Sequence, residues 1–165
     1  MSLPVYTCEI ASPLGPLTLA ATDTGLCGVY FFDQRNFKGT YDWISTGQHP
    51  LLQHTGQQLQ EYFNGQRRQF DLPLDLTLSG TEFQQQVWQA LLSIDYGQTS
   101  SYAAHARLID RPRAVRAVGG AIGRNPLSII VPCHRVLRGD GSLGGYAGGL
   151  PAKEWLLKHE GAVLL

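Results

Sequence analysis

The 165-residue sequence is short of long apolar runs, of charge and of cysteine, and each shortage removes a class of protein. No stretch approaches the ~18 consecutive apolar residues that cross a bilayer. The opening Met1-Ser2-Leu3-Pro4-Val5-Tyr6 has neither the basic segment nor the long apolar core of an export signal, so a cytoplasmic protein is expected. Charged residues make up 16% of the chain and the formal net charge is zero, whereas 43% is apolar, a globular rather than a disordered composition. The three cysteines, Cys8, Cys27 and Cys133, are far apart and odd in number, which without a secretory signal points to reduced thiols. There is no Cys-x-x-Cys pair and no pair of histidines at helical spacing with an acid, so neither a metal nor a cofactor is expected. Cys8 and Cys27 read as small buried hydrophobic residues.

The zero net charge hides an asymmetry. Residues 1–80 hold 4 Lys and Arg against 7 Asp and Glu, and residues 81–165 hold 9 against 6. Between 105 and 138 stand seven arginines, no lysine and one acid, Asp110. A basic stretch on an otherwise neutral chain suggests a local contact with phosphate rather than a wholly basic binder.

In the first third, Val5 to Ile10, Leu17 to Ala21 and Leu26 to Phe32 read as strands, separated by Ser12-Pro13-Leu14-Gly15-Pro16 and by Asp23-Thr24-Gly25. Pro50 to Asn64 places Leu51, Leu52, Thr55, Leu59, Tyr62 and Phe63 on one helical face, with Asn64-Gly65 as the stop. Gln66 to Ser79 reads as a connecting segment, and a boundary near Ser79-Gly80 divides the chain into domains 1–79 and 80–165. Thr81-Glu82-Phe83-Gln84 has the form of a capping box. The helix it opens carries Phe83, Val87, Leu91 and Ile94 as a core-facing stripe. Ser100 or Ser101 can cap a helix through Leu108, and Pro112 suits the first turn of another running to about Ile122. Two short helices joined by a tight link form a helix-turn-helix pattern.

The second of these helices has small side chains over most of its surface: Arg113-Ala114-Val115-Arg116-Ala117-Val118-Gly119-Gly120-Ala121. Each glycine inside a helix costs about 1 kcal/mol relative to alanine, so an adjacent pair calls for a reason. Close approach to another backbone is the usual one. Reading base edges in a major groove takes Asn, Gln and Arg, and this helix offers little beyond arginine. It fits a minor groove better, where small residues permit contact and an inserted side chain can wedge the stack.

Just beyond lies Val131-Pro132-Cys133-His134-Arg135-Val136, a cysteine beside a histidine after the apolar run Ser128-Ile129-Ile130-Val131. An apolar run stopped by proline reads as a short buried strand presenting the next side chain at its rim. A thiol held there can lose its proton to a nearby imidazole and act as a nucleophile. Adjacent side chains of an extended segment point to opposite sides, so His134 need not touch the Cys133 sulfur directly, and a relaying water would solve that.

From residue 81 to 161 these motifs resemble those of the O6-alkylguanine-DNA alkyltransferases. The resemblance is carried by Ser101-Tyr102, Arg116 to Ala121, Asn125-Pro126, Val131 to Val136, Gly144-Gly145-Tyr146-Ala147-Gly148-Gly149-Leu150, Lys153-Glu154-Trp155-Leu156-Leu157 and His159-Glu160. The first 80 residues match weakly, through Ser12-Pro13-Leu14-Gly15 and the order of strands and helix. The resemblance implies an α+β fold: a small antiparallel-sheet-plus-helix, ribonuclease H-like amino-terminal domain, then a mostly helical carboxy-terminal domain with the helix-turn-helix. It implies DNA repair by irreversible, one-turnover passage of the alkyl group of O6-alkylguanine to Cys133 after base flipping. O4-alkylthymine is a second candidate substrate. Alkylated double-stranded DNA, bound through the minor groove, is the implied partner of a monomer that can assemble cooperatively on it.

The same resemblance assigns roles to individual residues. Cys133 is the alkyl acceptor, His134 its base, and Glu160 the carboxylate that fixes the histidine tautomer. Asn125 braces the active-site turn, and Tyr102 donates at the guanine N3. Tyr102, Arg116, Ala117 and Gly119 touch DNA, with Arg116 filling the hole left by the extruded base. Val136, Tyr146 and Ala147 form the substrate pocket, and Arg135 holds the loop. Ala147 stands where some members have serine, but the family's contact there is a backbone amide, which alanine keeps. Zinc-binding members carry ligands in the amino-terminal domain that are mostly missing here, so no zinc is expected. Two other classes compete. A non-catalytic alkyl-base binder replaces the cysteine, which Cys133 argues against, and an adjacent nucleophile and base suit a cysteine hydrolase poorly.

Overall fold

The alternation of the first three strands and the Pro/Gly turn between them build an antiparallel meander in the computed structural model. The structure describes residues 4–32, 34, 37, 42–78 and 80–162. Strands β1 (Tyr6–Ile10), β2 (Leu17–Ala21) and β3 (Leu26–Phe31) pair in sequence, and β4 (Ile44–Ser45) adds to β1 in parallel, giving the order β3-β2-β1-β4. Every residue of β3 is buried, because both faces of the sheet are covered. Leu17, Leu19, Val29 and Phe31 join the main core, and Ala20, Cys27 and Tyr30 form a smaller cluster with Val5 on the other side.

Helix α1 (Pro50–Phe63) lies on β1 and β2 and buries Leu52, Thr55, Leu59, Tyr62 and Phe63 of the expected face, together with Gln58. The segment after it is not free-running. Leu26 N donates to the Pro73 carbonyl at 2.8 Å, and Asp75 N donates to the Leu26 carbonyl at 2.8 Å. The Asp75 carboxylate accepts the Thr22 hydroxyl at 2.7 Å. The boundary expected at Ser79-Gly80 touches Ser79, which lies outside the described residues.

The carboxy-terminal half is helical. The capping box closes both ways at α2 (Glu82–Leu91): Gln84 N donates to Thr81 Oγ1 at 3.1 Å and Thr81 N donates to Gln84 Oε1 at 3.0 Å. Ser101, rather than Ser100, caps α3 (Tyr102–Leu108), its hydroxyl accepting the Ala104 amide at 3.1 Å. Helix α4 runs Val115–Gly123 and so starts three residues later than Pro112 suggested. Asp110 turns the chain with a φ of 61°, and Ala114 N donates to the Arg111 carbonyl at 2.9 Å, so Pro112 and Arg113 belong to the turn. Helices α2, α3 and α4 contact one another, and Trp88 Nε1 donates to the Ala121 carbonyl at 2.7 Å. A final helix, α5 (Leu150–His159), follows the glycine-rich loop. The architecture is the expected α+β one, a sheet-plus-helix half followed by a helical half with a helix-turn-helix. Among the described residues no helix is long and apolar enough to cross a membrane.

Two short parallel strands, β5 (Ser100–Ser101) and β6 (Val136–Leu137), fasten the start of α3 to the chain just beyond Arg135. The edge of β3 is fastened as well. Val29 N donates to the Pro126 carbonyl at 2.9 Å and Ser128 N donates to the Val29 carbonyl at 3.2 Å. Both tethers converge on residues 126–137.

Candidate active site

Residues 128–131 do not form the expected strand; they turn repeatedly, and Cys133–Arg135 is one turn of 3-10 helix. The amides of Ile130, Val131 and Cys133 donate to the carbonyls of Ser128, Leu127 and Val131 at 2.8–2.9 Å, bonds a strand could not make with itself. Ile129, buried and β-branched, takes a φ of 73°, a left-handed conformation that costs of order 1–3 kcal/mol. Asn125 braces the turn from within, Nδ2 donating to the Val131 carbonyl at 2.8 Å and Oδ1 accepting the Leu127 amide at 2.9 Å.

This turn delivers Cys133 to a cavity of about 560 Å³ bounded also by Tyr102, Gly119, Tyr146 and Ala147, with Arg124 and Arg138 among its lining residues. Val136, expected on the pocket wall, is absent from that lining: it is fully buried, and its carbonyl accepts Lys153 Nζ at 2.7 Å. Pairing of Val136 with Ser100 turns it inward. Arg116 and Ala117 are exposed on α4 outside the cavity lining. Gly144 holds a φ of 70°, and a side chain there would strike the Tyr102 hydroxyl at 2.9 Å. The glycine pair of α4 is different. A Cβ at Gly120 meets nothing within 4 Å, and one at Gly119 makes an ordinary 3.6 Å contact with the Tyr102 ring. The chain's own packing therefore requires neither glycine.

The buried groups form one electrostatic unit. Burial pushes the Cys133 thiol above its ordinary pKa, opposed by the Asn125 side chain and the Lys153 charge, so it rests protonated. Burial likewise lowers His134, opposed by Glu160, and keeps the imidazole neutral. His134 Nε2 lies 2.9 Å from Glu160 Oε2. A carboxylate only accepts, so Nε2 carries the proton and Nδ1 is the basic nitrogen. His134 Nδ1 is buried with no hydrogen-bond partner among the described residues. Burial alone would raise Glu160, but hydrogen bonds from His134 and Arg135 and the charges behind them hold its carboxyl far below the usual range.

Two contributors, Lys153 and Tyr62, escape a reading of the sequence, while Arg135, expected to hold the loop, has partners that no local pattern specifies. Lys153 is fully buried and donates to the carbonyls of Val136, Leu143 and Gly145, tying the glycine-rich loop to β6. Burial lowers its ammonium to about 8, against the pull of Cys133. Arg135, one of the seven clustered arginines, is turned inward: Nε donates to Glu160 Oε1 at 2.8 Å and Nη1 donates to the Ile94 carbonyl. Tyr62, on the core face of α1, places its hydroxyl 2.6 Å from Glu160 Oε2. Lysine beside Ala152 on a largely apolar helix is a faint local signal for Lys153; Tyr62 has none.

Fold and site define a class: an α+β protein with a buried thiol, followed in the chain by a carboxylate-bound histidine, at a cavity beside a helix-turn-helix. The chain belongs to the 6-O-methylguanine DNA methyltransferase family. Residues 82–162 match that family's DNA binding domain and residues 5–76 its ribonuclease-like domain. A methylated-DNA–protein-cysteine methyltransferase of Methanosarcina barkeri is 45% identical over 157 residues, 94% of this chain and 97% of that protein. One of Mycobacterium leprae is 46% identical over 94% of this chain and 92% of its own length. The crystal structure of Mycobacterium tuberculosis OGT in complex with DNA superposes with a TM-score of 0.86 at 43% identity, covering 96% of this chain and 93% of that one.

Proposed function

We propose that this protein repairs DNA as a methylated-DNA–protein-cysteine methyltransferase, taking the alkyl group of O6-alkylguanine onto its own Cys133 once and irreversibly. The observation that carries this reading is the placement of Cys133 at the cavity beside α4, a helix whose exposed Gly120 the fold itself does not need. The protein binds DNA, and we assign the contact to the minor groove, where the small residues of α4 bring its backbone close. A base inside the stack is out of reach, so the alkylated guanine is turned out into the cavity. Exposed Arg116 fills the gap it leaves, with Ala117, Gly119 and Tyr102 against the DNA.

In the cavity the base packs on Tyr146 beside the Ala147 amide. The Cys133 proton passes through a relay to His134 Nδ1, and Glu160 stabilises the imidazolium. The sulfur pair forms the S–C bond as the C–O6 bond breaks, and the electrons of that bond go to the guanine. Tyr102, donating at N3, offsets the charge that develops there. Because burial holds the thiol protonated, this scheme couples deprotonation to the filled site. The same proposal makes the protein a monomer of the cytoplasm, where the thiol stays reduced, with O4-alkylthymine as a second substrate.

Intact mass after incubation with an O6-methylguanine duplex tests the reading. A stable gain of one methyl group is expected, absent in Cys133→Ala, which keeps its DNA affinity because the helix makes the contacts. No gain in the wild-type protein would indicate a binder, and multiple turnovers a hydrolase. Loss of affinity together with transfer in Cys133→Ala would sink the division of roles.

A further inference from the structure

Glu160 takes a hydrogen bond from the opposite half of the molecule. The Tyr62 hydroxyl, in the last turn of α1, reaches Glu160 Oε2 at 2.6 Å, the same oxygen that faces His134 Nε2 at 2.9 Å. Arg135 completes the shell with Nη2 at 3.0 Å from Oε2 and Nε at 2.8 Å from Oε1. The tyrosine is held at both ends. Its ring is fully buried among Phe63, Phe70, Tyr96 and His159, with centroids 5.1–6.2 Å away. Its carbonyl accepts His159 Nε2 at 2.7 Å, and Trp155 stacks on that imidazole at 4.8 Å. A core position needs only the ring; phenylalanine would fill it without burying a hydroxyl.

We infer that Tyr62 is a positioning residue for alkyl transfer: its hydroxyl fixes Glu160 Oε2 as an anion against His134 Nε2–H, which keeps Nδ1 free to accept the Cys133 proton. The inference rests on the reading of Cys133, His134 and Glu160 given above. If Oε2 takes up a proton from solvent and donates it to Nε2, the histidine must carry its own proton on Nδ1, and the thiol has no acceptor. Arg135 opposes that protonation, but its positive charge also opposes formation of the imidazolium. A neutral hydroxyl opposes the protonation without adding a cation. The titratable and charged groups facing this point are His134 and Arg135 of the 3-10 turn, Tyr96 after α2, Tyr146 of the glycine-rich loop, and Lys153 and His159 of α5.

Tyr62→Phe removes the hydroxyl and keeps the ring. Single-turnover transfer from a methylated duplex is followed against pH, with DNA affinity and thermal midpoint measured alongside. The maximal rate should fall about tenfold, the size of one hydrogen bond to a charged group. The acid limb of the pH profile should move to higher pH, because Oε2 becomes more basic, and DNA affinity should not change. A wild-type rate and profile would overturn the inference; so would a slower rate with the acid limb unmoved, which marks a packing role only. In a Glu160→Gln background Tyr62→Phe should slow transfer no further. If Glu160→Gln itself transfers at the wild-type rate, the reading of the triad fails and the Tyr62 inference falls with it. A slow Glu160→Gln beside a silent Tyr62→Phe overturns only the latter. Should Glu160→Gln not fold, the Tyr62→Phe profile decides alone.

Discussion

Arg116 and Arg135 belong to one basic stretch and do opposite work. Arg135 is buried, with its guanidinium on the Glu160 carboxylate, whereas Arg116 is exposed on α4 with no ion pair among the described residues. Breaking a buried ion pair costs about 3–5 kcal/mol because the partner charge stays behind, so Arg135→Ala should unfold the protein at lower denaturant whatever the substrate. Arg116→Ala should leave stability alone. It should slow transfer from duplex DNA about 10–100-fold while sparing reaction with the free O6-methylguanine base, since only extrusion meets the unstacking cost of a few kcal/mol. Single-turnover rates on both substrates check this, and equal losses would count against a wedge.

Helix α4 carries a trade between stability and contact. Val118, Ala121 and Ile122 hold it to the core, while Arg116, Ala117 and Gly120 face outward. Gly120→Ala fills open space, and alanine is about 0.5–1 kcal/mol better than glycine in a helix. The variant should therefore show a higher denaturant midpoint and weaker binding to duplex DNA by fluorescence anisotropy. A rise in stability at unchanged affinity would show that the small surface serves no partner. The later start of α4 has a plain cause: Asp110 at positive φ reverses the chain, and Pro112 is spent inside that turn.

Across the whole molecule the sheet half braces the candidate site of the helical half. Residues 126–128 pair with Val29, the Phe31 ring meets Tyr146 edge-on at 5.7 Å, and a side chain on Gly148 would run into Phe31 at 2.5 Å. With Tyr62 on Glu160, the sheet half braces the loop that bears Cys133, so acid should loosen both halves together. His134, lowered by burial, takes up a proton on unfolding below about pH 6.5, its ordinary value. Glu160, held far below its ordinary value of about 4.3, contributes stability at higher pH that is lost as pH falls past that value. Both shifts act in the same direction. The denaturant midpoint should decline below about pH 6.5 and more steeply below pH 4–5, and Glu160→Gln should flatten the steeper limb. An identical pH slope in wild type and variant would contradict this.

Much of this protein is legible in short stretches of its sequence. The three strands, the face of α1, the Thr81 capping box and the Ser101 cap depend on neighbours within a few residues, and the structure keeps them. The Cys133-His134 pair and its glycine-rich surroundings are legible as chemistry too, because a nucleophile needs a base nearby. The rest depends on groups that meet only after folding. Residues 128–131 read as a strand because apolar runs usually are, but Asn125 and the pairings on either side wind them into turns that bury Ile129 at a positive φ. Val136 is buried away from the cavity lining, and its pairing with Ser100 is invisible in either dipeptide. Tyr62 is 98 residues from Glu160, and on an apolar helix face a tyrosine is indistinguishable from core packing until its hydroxyl finds a buried carboxylate. Local propensity and periodicity set the elements; the company each buried polar atom keeps is a property of the assembled core alone.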